Sequence, residues 1–224
     1  WIDCQLDTIW MRDFGPFFAI DEDTNMILGD ANYYGRPQDN DFPTQASDWW
    51  GDELYEVPLE MEGGNFYSNG EGLCVTTSII YSWTSVTQEF ATEAFSETLG
   101  CDETIWLQPL ENEGTGHVDM YFTFVDTQNV IVGEYSDADD ASNATVLDEN
   151  AAILEEAGLT VHRVPMLPND DVNGDGWEDF FTVINGFFIN TSDGTKTYYM
   201  PAFYENYPEQ TAEALIAMQA AMPD

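Results

Sequence analysis

Positive charge is nearly missing from this chain: four lysines and arginines stand against 43 acidic residues in 224, a formal net charge of −39. Arg12, Arg36, Arg163 and Lys196 cannot build the cationic face that phosphate backbones require, which excludes nucleic acid as a partner. Anionic membranes are excluded on the same electrostatic ground. A charge this large repels itself at low ionic strength, so a marine, halophilic, extracellular or cell-surface setting is expected. Long apolar runs are also missing, and none reaches the roughly 18 residues that a membrane span needs. No leader peptide is visible, although a chain that opens on Trp1 rather than methionine is compatible with prior processing. Cysteine is scarce: Cys4, Cys74 and Cys101 allow at most one internal disulfide and lack metal-ligand spacing. Histidine is scarce as well, with His117 and His162 alone. Apolar content of 43% and aromatic content of 14% suffice for a packed core, in one large domain or two small ones.

What is present is periodic. TSVTQEFATEAFSETLG opens at a Thr/Ser cap near residue 84, places Phe90, Ala94 and Phe95 on one helical face and closes at Gly100. TVLDENAAILEEAG predicts a helix from Thr145 to Gly158 with Leu147, Ala151 and Leu154 inward. PEQTAEALIAMQAAM opens at Pro208 with Ala212, Leu215 and Ile216 inward. Strand-like runs lie between them: GLCVTTSII, TIWLQPL, DMYFTFV, NVIVGEY, LTVHRVP, FTVINGFFI and TYYMPAF. The order strand, strand, helix, strand recurs about every 60 residues, and a fixed period of that kind marks an α/β repeat architecture. An earlier unit, residues 7 to 59, fits more loosely, with a short polar stretch where its helix should be.

Each unit opens on an unusual polar group, placed on what reads as its first strand. WMRDFGP carries Arg12 and Asp13, EMEGGNF carries Glu62 and Asn65, GTGHVDM carries His117 and Asp119, and TVINGFF carries Asn185. Taken alone, His117 is a core histidine and Asp13 beside Arg12 an ion pair. In a strand, however, His117 and Asp119 share a face, and units set about a pseudo-symmetry axis would bring Asp13, Glu62, His117, Asp119 and Asn185 together. Paired carboxylates hold a planar guanidinium by charge-assisted hydrogen bonds. A histidine oriented by a carboxylate is suited to moving protons near neutral pH.

The segments DTIWMRDFGP, EGGNFYSNGEG, GHVDM and INGFFIN, in that order from residue 7 to residue 190, resemble those of the guanidino-group-modifying enzymes, the pentein superfamily. The match is closest to its bacterial, Porphyromonas-type peptidylarginine deiminase and agmatine deiminase branch. This resemblance implies a pentein-type α/β propeller of five strand-strand-helix-strand units. Residues 1–224 would form a single domain holding about four of them, the last incomplete. It implies that Asp13 and Asp119 clamp a guanidinium, that His117 shuttles protons with Glu62 beside it, and that Trp10 and Asn185 contact the substrate. Arg36, in YYGRPQDND, would meet a substrate carboxylate. The implied reaction is deimination, converting peptidyl-arginine to peptidyl-citrulline and ammonia, with agmatine as the alternative substrate and no organic cofactor.

One part of the family pattern is missing. Members attack the guanidinium carbon with a C-terminal cysteine in a His-Cys setting, and none of the three cysteines here occupies that place. All three read as structural. The spacing of the marked groups puts a fifth beyond Asp224, so a chain truncated at both ends is expected, its fifth unit and nucleophile absent. The rival is a non-catalytic, calcium-stabilised structural or binding protein. NDDVNGDGWEDFF supports bound calcium: Asp171, Asn173, Asp175, Trp177 and Asp179 alternate as oxygen ligands would, around Gly176 at the sharp turn. Thr182 stands where an EF-hand has its bidentate glutamate, leaving Asp170 or a distant carboxylate to complete the shell. The alternative is a solvated acidic turn, which is also the reading of SDADDAS at 136–142. His162 lies on a different strand, so a catalytic metal is not expected, and no G-x-S-x-G elbow is present.

Overall fold

One helical turn, α1 (Met11–Phe14), precedes the first strand. It is rooted by Phe14, whose ring lies 5.9 Å from that of Tyr33 and 5.7 Å from that of Phe42. The computed structural model describes residues 4–21, 23–169, 171, 174, 178–193 and 195–222. Its contacts divide the chain into two units, Trp1–Trp106 and Leu107–Asp224.

In the first unit, β1 (Phe17–Ile20) and β2 (Met26–Asn32) form an antiparallel hairpin, with Phe17 opposite Gly29 and Ile20 opposite Met26. The chain then crosses through α2 (Pro37–Asn40) and α3 (Phe42–Trp50) to β3 (Glu53–Glu60), which lies parallel to β2. A 3₁₀ turn, Gly63–Asn65, opens the next repeat. There β4 (Phe66–Ser68) pairs antiparallel with β5 (Leu73–Thr77), and α4 (Ile79–Ser82) and α5 (Gln88–Leu99) lead to β6 (Glu103–Leu107) on the far side of β5. Thr87 caps α5 by accepting a hydrogen bond from the Phe90 N–H at 3.2 Å, and Gly100 ends it in the left-handed conformation. Ala91, Ala94, Phe95 and Leu99 of α5 pack on Ala31, Val57, Leu59 and Met61, so the second repeat's helix covers the first repeat's sheet. Burying a side chain the size of Phe95 contributes about 1.5–3 kcal/mol. A disulfide, Cys74–Cys101, ties β5 to the residue after the α5 cap.

The second unit repeats the pattern. A 3₁₀ turn, Val118–Met120, precedes β7 (Phe122–Phe124) and its antiparallel partner β8 (Asn129–Glu134). The long helix α6 (Asp137–Glu156) crosses to β9 (Thr160–Pro165), which is parallel to β8. The antiparallel pair β10 (Phe187–Asn190) and β11 (Lys196–Tyr199) leads to α7 (Pro208–Ala221), which packs against β9. The three-stranded sheets are separate, and none closes on itself. Among the described residues, no helix is long and apolar enough to cross a membrane.

Several expectations change. The polar stretch of the first unit is helical: Pro37 and Pro43 sit at helix N-terminal positions and Gly51 closes α3 at φ 77°. Boundary chemistry there outweighs a weak apolar period. The acidic run 136–142 is no exposed turn but the start of α6. Ser136 caps it, and a kink at Asp140 (φ −156°, ψ 92°) supplies a second cap, its carboxylate accepting the Asn143 N–H at 3.0 Å. Burial raises the Asp140 carboxyl, but hydrogen bonds from Asn143 and Ser142 outweigh it and hold the carboxyl below its ordinary range. The inward face of α7 is Thr211, Ala214, Met218 and Ala221, leaving Ile216 68% exposed. Phe90, expected inward, is exposed on α5.

Candidate active site

The polar groups that open the repeats sit just before the first strands, in short turns: α1, Gly63–Asn65, Val118–Met120 and a bend at Asn185. The extended-strand expectation for His117 and Asp119 is therefore corrected. His117 has β geometry (φ −72°, ψ 142°) and stands at the entry of the 3₁₀ turn that contains Asp119, so the strand rule that aligns i with i+2 does not apply. A turn suits these groups physically, because it lets a polar side chain leave the pleat while its apolar neighbour stays in the core. Phe14, Val118 and Ile184 are those neighbours, all 2% exposed or less.

In the first unit, Asp13 Oδ1 accepts the Gly64 N–H at 3.1 Å, which joins α1 to the Gly63–Asn65 turn. The junction requires glycine: a Cβ on residue 63 would lie 2.1 Å from the Arg12 carbonyl oxygen. Asn65 is buried, its Oδ1 accepting the Thr77 N–H at 3.2 Å and its carbonyl the Thr76 hydroxyl at 2.6 Å. Arg12 Nη1 donates to Tyr67 Oη at 3.4 Å. Tyr33, a residue the sequence reading missed, is the hub of this set. Its phenol is pushed above the ordinary range by burial first and then by Glu62 and Asp13, against the opposing pull of Arg36. Arg36 donates Nη1 to the Tyr33 hydroxyl and its guanidinium lies 5.4 Å from the ring centroid. Asp13, Glu62 and Arg36 thus share one electrostatic neighbourhood centred on a buried tyrosine. Trp10, the residue before α1, is exposed, as are Ile9 and Met11. Only a pattern linking residue 33 to residues 13 and 62 could have found Tyr33, and no local spacing carries that.

In the second unit, His117 is 6% exposed and Asp119 2%. The loop before them is held by Glu113, whose carboxylate accepts from the Thr115 hydroxyl at 2.8 Å and the Gly116 N–H at 2.6 Å. Gly116 has φ 67°, which accounts for glycine at the entry to His117. Asn185 lies between two backbone groups pinned by one hydroxyl: Tyr198 Oη donates to the Ile184 carbonyl and accepts the Gly186 N–H at 3.1 Å. His162 stands apart on β9, with Nε2 3.1 Å from Asn129 Oδ1.

A family model described as Porphyromonas-type peptidyl-arginine deiminase matches residues 1–224. The chain belongs to that family. Relatives of this deiminase-family chain include two proteins provisionally named agmatine deiminase. One, from Photobacterium profundum, is 25% identical over 200 residues, covering 77% of this chain and 55% of the relative. The other, from Legionella pneumophila strain Philadelphia 1, is 27% identical over 226 residues, covering 92% and 63%. The chain therefore spans less than two thirds of either relative's length. Among solved structures, a substrate-bound cysteine-to-serine variant of C. jejuni agmatine deiminase superposes at a TM-score of 0.80 with 19% identity, over 98% of this chain and 68% of that one. A protein from Porphyromonas gingivalis, provisionally named arginine deiminase, superposes at 0.82 with 20% identity, over 100% and 69%. Those likenesses show the fold: α/β content in mixed sheets, as in pentein-fold deiminases.

The cysteines of this deiminase-family chain are accounted for structurally. Cys74 and Cys101 are bonded to each other, and Cys4 packs against the cluster of Phe14, Leu28, Tyr33, Phe42 and Ala46. Of the expected calcium ligands, Asn173, Asp175 and Trp177, together with Asp170 and Gly176, lie outside the described residues; Asp171 and Asp179 are described. Among the described residues, no group of three or more His, Cys, Asp or Glu side chains is placed to hold a metal. The calcium-stabilised structural alternative gains no support from them.

Proposed function

We propose that this chain supplies the guanidinium-recognising residues of a deiminase that hydrolyses a guanidino group to a ureido group and ammonia. The observation that carries this reading is the anchoring of Asp13 on the Gly64 N–H beside Glu62 and the buried Tyr33. Asp13 and Asp119 are assigned to the paired charge-assisted bonds, His117 to proton transfer, and Glu62 and Asn185 to the substrate's surroundings. Attack at the guanidinium carbon requires a thiolate, and none of this chain's three cysteines is assigned that task. The units are read as blades of the pentein propeller, a reading supported by the recurrence of the β-β-α-β order in both units. Peptidyl-arginine is the first choice of substrate, favoured by exposed Ile9, Trp10 and Met11 just before Asp13, which suit contact with a peptide chain next to the arginine. Agmatine is the second, favoured by the names of the relatives. An extracellular or cell-surface location fits both the charge and the disulfide.

The test is calorimetric titration of the protein with agmatine and with an arginyl peptide blocked at both ends. Binding of either, weakened at least tenfold by Asp13→Asn and by Asp119→Asn, is expected. Absence of binding to both ligands overturns the reading. Tighter binding of the peptide than of agmatine upholds the first choice, and the reverse order replaces it with the second.

A further inference from the structure

Asp39 is a charged residue with no exposed surface, and nothing in the reaction as read above uses it. Its partners explain the burial. Oδ1 accepts the backbone N–H groups of Asp7 at 2.7 Å and Thr8 at 3.2 Å, and Oδ2 accepts the Thr8 hydroxyl at 2.7 Å. A buried carboxylate persists when hydrogen bonds of this kind replace its water. The bonds do not stop there. Thr8 Oγ1, having given its proton to Asp39, accepts the Trp10 N–H at 3.4 Å, and the Trp10 carbonyl accepts the N–H of Asp13 at 2.9 Å. Three consecutive hydrogen bonds therefore run from Asp39 to the backbone of Asp13. The Gln38 N–H returns a bond to Asp7 Oδ2 at 2.8 Å, and Asn40 Oδ1 accepts the N–H of Tyr33 at 2.6 Å. The turn that carries Asp39 thus holds both the entry to α1 and the tyrosine beside Asp13.

The same place in the third repeat does the same work with other residues. Asn143 and Asn150 of α6, both buried, seize the segment upstream of His117: Asn150 Oδ1 accepts the Gln108 N–H at 2.9 Å, and Asn143 Oδ1 accepts the Glu111 N–H at 2.7 Å. In both of these repeats, the first and the third, a buried polar side chain of the crossover helices takes hold of the backbone that leads into a marked turn. That recurrence separates a positioning device from an incidental buried acid.

We propose that Asp39 is a positioning residue for guanidinium recognition, fixing Asp13 through Thr8 and Trp10 without touching the ligand. The proposal rests on the function proposed above, and two readouts separate the failures of the two. Backbone amide exchange reports the clamp itself: Asp7 and Thr8 are protected in the unaltered protein, and Asp39→Ala speeds their exchange at least tenfold. Agmatine titration, well below the melting temperature of every variant, reports the consequence. Asp39→Ala weakens binding at least tenfold, and Asp39→Asn, which keeps an oxygen for the two N–H groups, restores most of it. Thr8→Val removes the hydroxyl that donates to Asp39 and accepts the Trp10 N–H, cutting the path without removing Asp39, and weakens binding about threefold. Ser47→Ala, which removes the bond from the Ser47 hydroxyl to the Asp52 carbonyl at the far end of α3, leaves binding unchanged. Unprotected Asp7 and Thr8 amides in the unaltered protein overturn the clamp whatever the ligand. Equal agmatine affinity in unaltered protein and Asp39→Ala overturns the positioning role alone. No binding of agmatine or arginyl peptide by the unaltered protein removes the guanidinium reading, and the role of Asp39 with it.

Discussion

The two units solve one problem with different chemistry. Each must hold an irregular segment still in front of a short turn that carries charged residues. The first unit uses a carboxylate, Asp39, which can only accept, so it satisfies N–H and hydroxyl groups and leaves backbone carbonyls to others. The second uses carboxamides, which give as well as take. Asn150 accepts from the Gln108 N–H and donates to the Gln108 carbonyl at 2.8 Å, and Asn143 does the same for Glu111, with the donated bond at 3.2 Å. A side-chain amide so placed imitates a neighbouring β-strand, and no net charge is buried. The units differ again in covalent restraint. All three cysteines fall in the first, which is stapled by Cys74–Cys101, whereas residues 107–224 contain none. A carboxylate clamp thus accompanies a cross-link, and carboxamide clamps accompany a longer, doubly capped helix. Stability and its pH dependence should therefore divide between the units.

The largest expected effect breaks the covalent asymmetry. Replacing Cys74 and Cys101 with serine frees a 27-residue separation in the unfolded chain, which costs about 3–4 kcal/mol by loop entropy. Urea unfolding followed by amide exchange should show the loss confined to residues before 107. Equal loss in both units would mean that they unfold as one.

Next comes Asn150→Asp, which puts the first unit's chemistry into the second. An ionised carboxylate would face the Gln108 carbonyl, so the variant should lose about 2–3 kcal/mol at pH 7. Protonated, the new acid can donate to that carbonyl. Its folded pKa would then exceed its unfolded value, and the lost stability should return as pH falls toward 4 and vanish as pH rises. Denaturant midpoints at several pH values measure this, and a flat profile would show that the oxygen finds another donor. The reciprocal change, Asp39→Asn, should cost only about 1 kcal/mol, because it weakens charged bonds without creating a clash.

The smallest effect concerns hairpin turns. Asp193, between β10 and β11, is held down to about 2 by the Thr191 hydroxyl and then the Thr195 N–H. Asp21, between β1 and β2, is lowered in the same sense, mainly by the Asn25 side chain. A depressed carboxylate contributes stability fully above its unfolded pKa and loses it as pH falls through the folded one. NMR titration should therefore show the Thr195 amide of the second unit losing its turn shift near pH 2. A midpoint near 3.8, the ordinary value, would remove the hydrogen-bonded turn.

Much of this was legible in the sequence. The strand-strand-helix-strand order was visible because apolar period and caps are local: Gly100 and Pro208 mark helix ends as the structure places them, while the cap expected near residue 84 falls at Thr87. The helices of the first repeat were hidden, because α3 buries only Phe42, Pro43 and Ala46 and its exposed face blurs the period. The marked residues were named correctly as polar openings of each repeat, but their turns were misread as strands. Sequence shows that Gly63 is there; it does not show the Arg12 carbonyl pressed against it. Tyr33 and Asp39 were invisible as site residues, since a buried tyrosine and an aspartate in a polar run have ordinary local contexts.

What the sequence determined by itself was the repeat, the order of its motifs and the excess of negative charge, all properties of composition and short spacing. Tertiary structure alone decided that Cys74 meets Cys101, that Gly64 meets Asp13 across 51 residues, and that Asp39 holds Asp7 across 32. Such pairings depend on which loop closures offset their entropy by burial, and that balance is struck over the whole fold rather than within any window of it.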